Sequence, residues 1–187
     1  DASKQAAYPM QFDYVSKCIL MFQNLDGVEV LLFGFYIQEY DDECPEPNRR
    51  RCYLAYLDSV KYFEPSGLRS PMYQTILNGY FAQAKSRGFV AGYIWACPPL
   101  KGDDYIIYCH PDSQMIPKSE RLRTWYHKMI DRAVAEGIVV ERTNIYDEHM
   151  VVKPRARCVR LAPCTAARLP FSRLGARARC RARTMLS

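Results

Sequence analysis

An α/β fold, with a mixed central sheet flanked by helices, is predicted by three observations. Apolar, β-branched runs of strand length alternate with two stripes of helical period. Each helical stripe has a Ser near its start and a Gly at its end. The resulting order, β-β-α-β-α-β, implies an α/β sandwich of helices on a mixed sheet.

The elements follow in order. Gln23 to Gly27 is turn chemistry, with Asp26-Gly27 as its strongest signal. The run VEVLLFGFYIQEY (28–40) is apolar enough for a central strand, and RCYLAYL (51–57) is a second. The polar, two-proline loop between them makes a hairpin the simplest pairing. Ser70-Pro71 opens a helix, because Ser can cap and Pro is tolerated at the first helical position. Tyr73, Ile76, Leu77, Tyr80, Phe81 and Ala84 form its apolar stripe, and Gly88 stops it. FVAGYIWAC (89–97) reads as a third strand, and YIIYC (105–109) as a possible extension of the sheet. A second helix runs from Ser119 to Glu136 with Leu122, Trp125, Tyr126, Met129, Ile130, Ala133 and Val134 inward, and Gly137 closes it. IVVE (138–141) is expected as the fourth main strand.

The 187 residues, 49% hydrophobic, suit one domain with a real core. No apolar run has the length of a membrane span. The opening DASKQAAYPMQF lacks the apolar core of a signal peptide, and the missing initiator Met suggests a fragment or a processed product. Eight cysteines are scattered without a CxxC, which favours reduced thiols over a disulfide scaffold. The net charge of +6 conceals a division: residues 151–187 carry ten of the 26 Lys and Arg and no acid, so residues 1–150 are acidic on balance. The Arg-Ala-rich tail has no packing period and is expected to be disordered.

No GxxxxGK loop, GxGxxG or GxSxG is present. Cys97, Cys109 and His110 match no common zinc spacing, and Cys97 with His110 or His127 has no support as a nucleophile pair beyond residue type. Arg69 and Arg121 each fall at a predicted helix N-terminus, where a guanidinium and free N–H groups suit a phosphate; either alone is more often a solvated charge. Tyr126 can serve as core aromatic or as a general acid that needs no prior charge.

Five segments together resemble the catalytic domain of the CREB-binding-protein-type histone acetyltransferases in their plant form. They contain YLDSV (56–60), IWACPP-x-x-GDDY (94–105), IPK-x-x-RL-x-x-WY (116–126) and ERTNIYD (141–147), in the family's order and spacing from about Lys17 to Asp147. The resemblance implies that family's α/β core and acetyl transfer from acetyl-CoA to histone lysines, in the nucleus. It assigns Leu57, Asp58, Ser59, Arg69, Ser70, Ile116, Arg121 and Trp125 to acetyl-CoA, with Arg69 and Ser70 as the phosphate pair. Ser70 stands where the family often has Thr. Tyr126 matches the acid that protonates the departing CoA thiolate. Trp95 matches an aromatic wall at the lysine tunnel, and Cys97 a nearby thiol without an agreed duty. Histone tails and transcription factors are the implied partners; no metal and no membrane are.

The match leaves the family after CTAARLP (164–170). Where the family continues with an acidic aromatic stretch of the kind YFDGDYWPG, this chain reads FSRLGARARCRARTMLS, as from an altered frame, an unusual splice or a gene-model error. Residues 1–150 are therefore expected as a partial catalytic domain, incomplete at its C-terminal end. Arginines in place of carboxylates disfavour a cationic substrate. The alternative function is a catalytically inactive remnant that binds CoA, or binds nucleic acid non-specifically through the basic tail.

Overall fold

The computed structural model describes residues 11–108, 110–144, 159–160 and 178–183, the last two segments as backbone only. Four strands, β1 (Gln11–Leu25), β2 (Val28–Tyr40), β3 (Arg51–Ser59) and β4 (Ala91–Ile94), form the body of one mixed sheet. Helix α1 (Arg69–Ser86) connects β3 to β4, and α2 (Ser119–Ala135) follows a long excursion after β4. Two tail segments join the same sheet, β5 (Val159–Arg160) beside β4 and β6 (Ala178–Arg183) beside β1, giving the order β5-β4-β3-β2-β1-β6. The remaining tail residues, on which most of the expected disorder falls, lie outside the described residues.

Local chemistry explains the ladder. Asp26 and Gly27 both take positive φ (51° and 86°), which makes the two-residue turn whose twist suits a hairpin. Asn24 Oδ1 accepts the Gly27 N–H at 3.0 Å and locks it. β1, β2 and β3 are antiparallel neighbours, and β3 and β4 run parallel across the α1 crossover. The mixed sheet is as expected. Three elements differ from expectation. β1 precedes the first predicted strand. Residues 105–108 are not a strand, and of 138–141 only Val139 makes an isolated bridge.

The core lies between the sheet and the helices. Phe33 stacks on Tyr73 at 4.2 Å between ring centroids, and Phe35 meets Tyr80 edge-on at 6.1 Å. Leu77, Phe81, Ala84, Met129 and Ala133 complete it. A Cβ on Gly92 would lie 2.8 Å from Phe81 Cε1, so that glycine is what lets α1 settle on β4. Burial pushes the Cys52 thiol up to about 12, leaving it an inert core group.

One charge is embedded in this layer. Glu39 on β2, 5% exposed, takes Lys17 at 3.0 Å, the Tyr80 hydroxyl at 2.8 Å, and both terminal nitrogens of Arg87, one at 2.7 Å. Burial opposes its charge, but the bonds from Arg87 and Lys17 prevail and hold its carboxyl below the usual range. A depressed folded value gives stability that is present above the unfolded value, near 4.3, and is lost as pH falls through the folded one. Urea unfolding of wild type and Glu39→Gln should therefore differ at pH 7 and converge as pH is lowered below about 4. In the same assay Phe33→Ala should cost about 3–5 kcal/mol at every pH.

Candidate functional site

Among the described residues, no helix lies on the opposite face of the sheet. At Gly34, opposite Asp58 in the register, a Cβ would lie 2.8 Å from Leu20 Cδ2 and 3.4 Å from Ile106 Cγ2. The absent side chain admits the excursion between β4 and α2, residues 95–118, onto the sheet. Asp58, 8% exposed, holds it there. Its Oδ2 accepts the N–H groups of Ile106 and Ile107, both at 3.0 Å. Its Oδ1 accepts the Ser59 N–H at 2.8 Å and pairs with His110 Nε2 at 2.7 Å. The other His110 nitrogen, Nδ1, meets Asp104 Oδ1 at 2.6 Å. Gln114 donates to the Ser59 carbonyl at 2.8 Å, and Lys61 to the Ser113 hydroxyl. This explains the missing strand at 105–108: two amides of that run serve a carboxylate instead of a ladder.

The sequence-predicted residues fall around this anchor. Leu57, Asp58 and Ser59 are consecutive at the end of β3, with Leu57 packed against the core. Arg69 opens α1 one residue earlier than expected, with Leu68 as the N-cap, so Ser70 is the second helical residue and not the cap. Arg69 is part-buried and donates Nη1 to the Lys61 carbonyl at 3.2 Å, while Ser70 is exposed. An open groove of about 1010 Å³ adjoins this corner, between Leu25, Val30 and residues 61–66; neither Trp95 nor Tyr126 lines it.

Ile116 and Arg121 are exposed, before and within the first turn of α2. Trp125 is half-buried and meets Tyr126 edge-on at 5.1 Å. Tyr126 is 6% exposed, and burial raises its phenol well above the ordinary tyrosine range. It therefore stays protonated at neutral pH. α1 positions this helix through its amide side chains: Gln74 Nε2 donates to the Trp125 carbonyl at 3.0 Å and Asn78 Nδ2 to the Met129 carbonyl at 3.1 Å. Trp95 is 68% exposed, and the exposed Cys97 lies 3.6 Å from the Pro98 carbonyl.

The model of the histone acetyltransferase domain KAT3 matches residues 3–155. The chain belongs to this family. Its core is the KAT3 α/β core, here a mixed sheet with helices on one face. Among proteins similar to it, "Probable histone acetyltransferase HAC-like 2" of Oryza sativa subsp. japonica is 53% identical over 171 residues, 88% of this chain and 12% of that protein. "Histone acetyltransferase HAC12" of Arabidopsis thaliana is 53% identical over 171 residues, 88% of this chain and 10% of that protein. "Protein cbp-1" of Caenorhabditis elegans is 50% identical over 141 residues, 75% of this chain and 7% of that protein. The chain thus spans 12% or less of the length of each of these three relatives.

Sequence reasoning missed His110, Asp104 and Gln114 within this KAT3 core. His110 was weighed only beside Cys97 and Cys109, yet its partners are carboxylates. The usable signal was two aspartates followed by an isolated His across an apolar run too short for a central strand. Asp58→Asn turns an acceptor into a donor facing two N–H groups. It should cost about 1–3 kcal/mol, and limited proteolysis should cut within 100–112 at a protease concentration that leaves wild type intact there.

Proposed function

We propose that this chain carries acetyl-CoA binding and lysine acetyl transfer of a nuclear histone acetyltransferase, acting on histone tails in chromatin and on transcription factors. Membership of the KAT3 family across residues 3–155 carries this reading. In it, residues 1–150 are the catalytic portion and 151–187 a basic extension.

The roles follow from the chemistry of the step. A neutral lysine amine attacks the thioester carbon; a C–N bond forms, the C–S bond breaks, and the electron pair leaves on sulfur. The thiolate takes a proton from the Tyr126 phenol, and the amine's surplus proton restores the phenol through solvent. Tyr126 is a neutral phenol on α2 beside Trp125, able to donate a proton without prior charge, and that chemistry supports its role as acid. Arg69, with Ser70, and Arg121 stand at the starts of α1 and α2, where a guanidinium and the helix N-terminal charge both favour a phosphate group. Leu57, Ser59, Ile116 and Trp125 supply the remaining cofactor contacts, and Trp95 an aromatic wall for the lysine. Asp58 contributes chiefly by ordering the 95–118 segment, since both its oxygens are already engaged by the chain.

A second reading, CoA or nucleic-acid binding without turnover, is favoured by one observation: the Trp95 ring stands 68% exposed rather than enclosed. Acetyl transfer from acetyl-CoA to a histone-tail peptide separates the two. On the first reading the chain turns over, and Tyr126→Phe lowers kcat about a hundredfold or more with acetyl-CoA affinity unchanged. Binding without transfer leaves the second reading, and no CoA binding removes the first reading and the CoA arm of the second.

A further inference from the structure

The geometry points to His110, as an imidazolium, being a positioning residue that clasps the 95–118 segment to β3 and releases its outer turn when it becomes neutral. Both ring nitrogens lie within hydrogen-bond distance of a carboxylate oxygen, 2.7 Å from Asp58 and 2.6 Å from Asp104. An ionised carboxylate only accepts, so filling both contacts needs an N–H on each nitrogen, which only the charged ring has. Three backbone N–H groups already point at the two Asp58 oxygens, contacts in which the carboxylate serves as acceptor. A neutral ring keeps one N–H and turns a lone pair toward the other carboxylate.

The two ends of the clasp are unequal. Asp58 is buried and keeps its backbone donors whatever His110 does. Asp104 is part-exposed and can turn to water. Deprotonation therefore frees the Asp104 end, the turn around 101–105, while Ile106 and Ile107 remain on the sheet. Among the described residues, the charges facing the ring are Asp58 from β3 and Asp104 from its own segment. β2 presents Gly34 opposite Asp58 and no charge, and Lys61 at the end of β3 is taken by Ser113. Burial disfavours the imidazolium, but the bonds to Asp104 and Asp58 outweigh it, and the His110 value lies above the ordinary 6.5. A raised value places the clasp fully on below that pH and off as pH rises through the folded value. The segment controlled in this way runs between Trp95 and Ile116, so its effect on acetyl transfer rests on the function proposed above.

The test uses the whole 187-residue chain. Nitrogen-edited NMR of the His110 ring, with the amides of Asp103 to Ile107, is followed from pH 6 to 9. Both ring nitrogens should be protonated at the acid end. The midpoint should lie above the ordinary imidazole value and fall in Asp104→Asn. The amides of Asp104 and Tyr105 should move with that midpoint in wild type and stay still in His110→Gln. A ring already neutral at pH 6, or amides indifferent to its titration, overturns the clasp. In acetyl transfer, His110→Gln should lower kcat roughly tenfold and remove an alkaline fall in rate that wild type shows. If the NMR behaves as stated and the wild-type chain does not acetylate, the clasp stands and the acetyltransferase reading fails.

Discussion

The carboxylate of Asp58 is the interaction on which the second face of this sheet depends. A buried anion is tolerated only if its charge is met, and here the chain meets it with three backbone N–H groups and an imidazole. Those donors come from residues about fifty positions later in the chain, apart from the adjacent Ser59. One side chain thus fastens an irregular excursion across a face that carries neither α1 nor α2. Gly34 makes the arrangement sterically possible, and Asp58 makes it favourable. The residues resembling a cofactor and lysine site lie on both sides of this fastening, at the end of β3, along the excursion, and on α2.

The sheet carries a second embedded carboxylate, Glu39, on its helix-covered face, and the pair divide the work. Glu39 draws β1, β2 and α1 together through Lys17, Arg87 and Tyr80. It belongs to the scaffold, where breaking it would loosen the core. Asp58 belongs to the cover on the other face. The same chemical group, a carboxylate buried in the same strand layer, stabilises a fold in one place and shapes a site in the other, according to which donors approach it.

Much of this was legible in the sequence. The strand 28–40 was read with its observed bounds, because an apolar, β-branched run ending in charge has few other uses. Both helices were legible from stripe and glycine, with Gly88 and Gly137 at positive φ where they were expected to stop them. β1 was not, since much of it is exposed and its alternation carries polar residues among the apolar ones. YIIYC misled for the opposite reason: its residue types suit a strand, but a carboxylate fifty residues earlier claims two of its amides. The candidate site was legible as a resemblance of motifs, which named Asp58 without giving its reason. His110 lay outside every pattern of spacing, because its partners converge only after the sheet and the excursion have formed.

The amide bonds from α1 to α2 have a consequence of a different kind. Gln74 and Asn78 donate to main-chain carbonyls of α2, and Lys85 reaches the Gly137 carbonyl just beyond it at 2.7 Å. Every residue type has a carbonyl, so these bonds fix the register of α2 without drawing on its side chains, while Met129 and Ala133 pack it into the core. The helix is registered by its backbone. Outward residues such as Arg121 and Arg123, near its N-terminus, are thereby free to diversify, so what α2 presents to a ligand can be retuned without moving the helix itself.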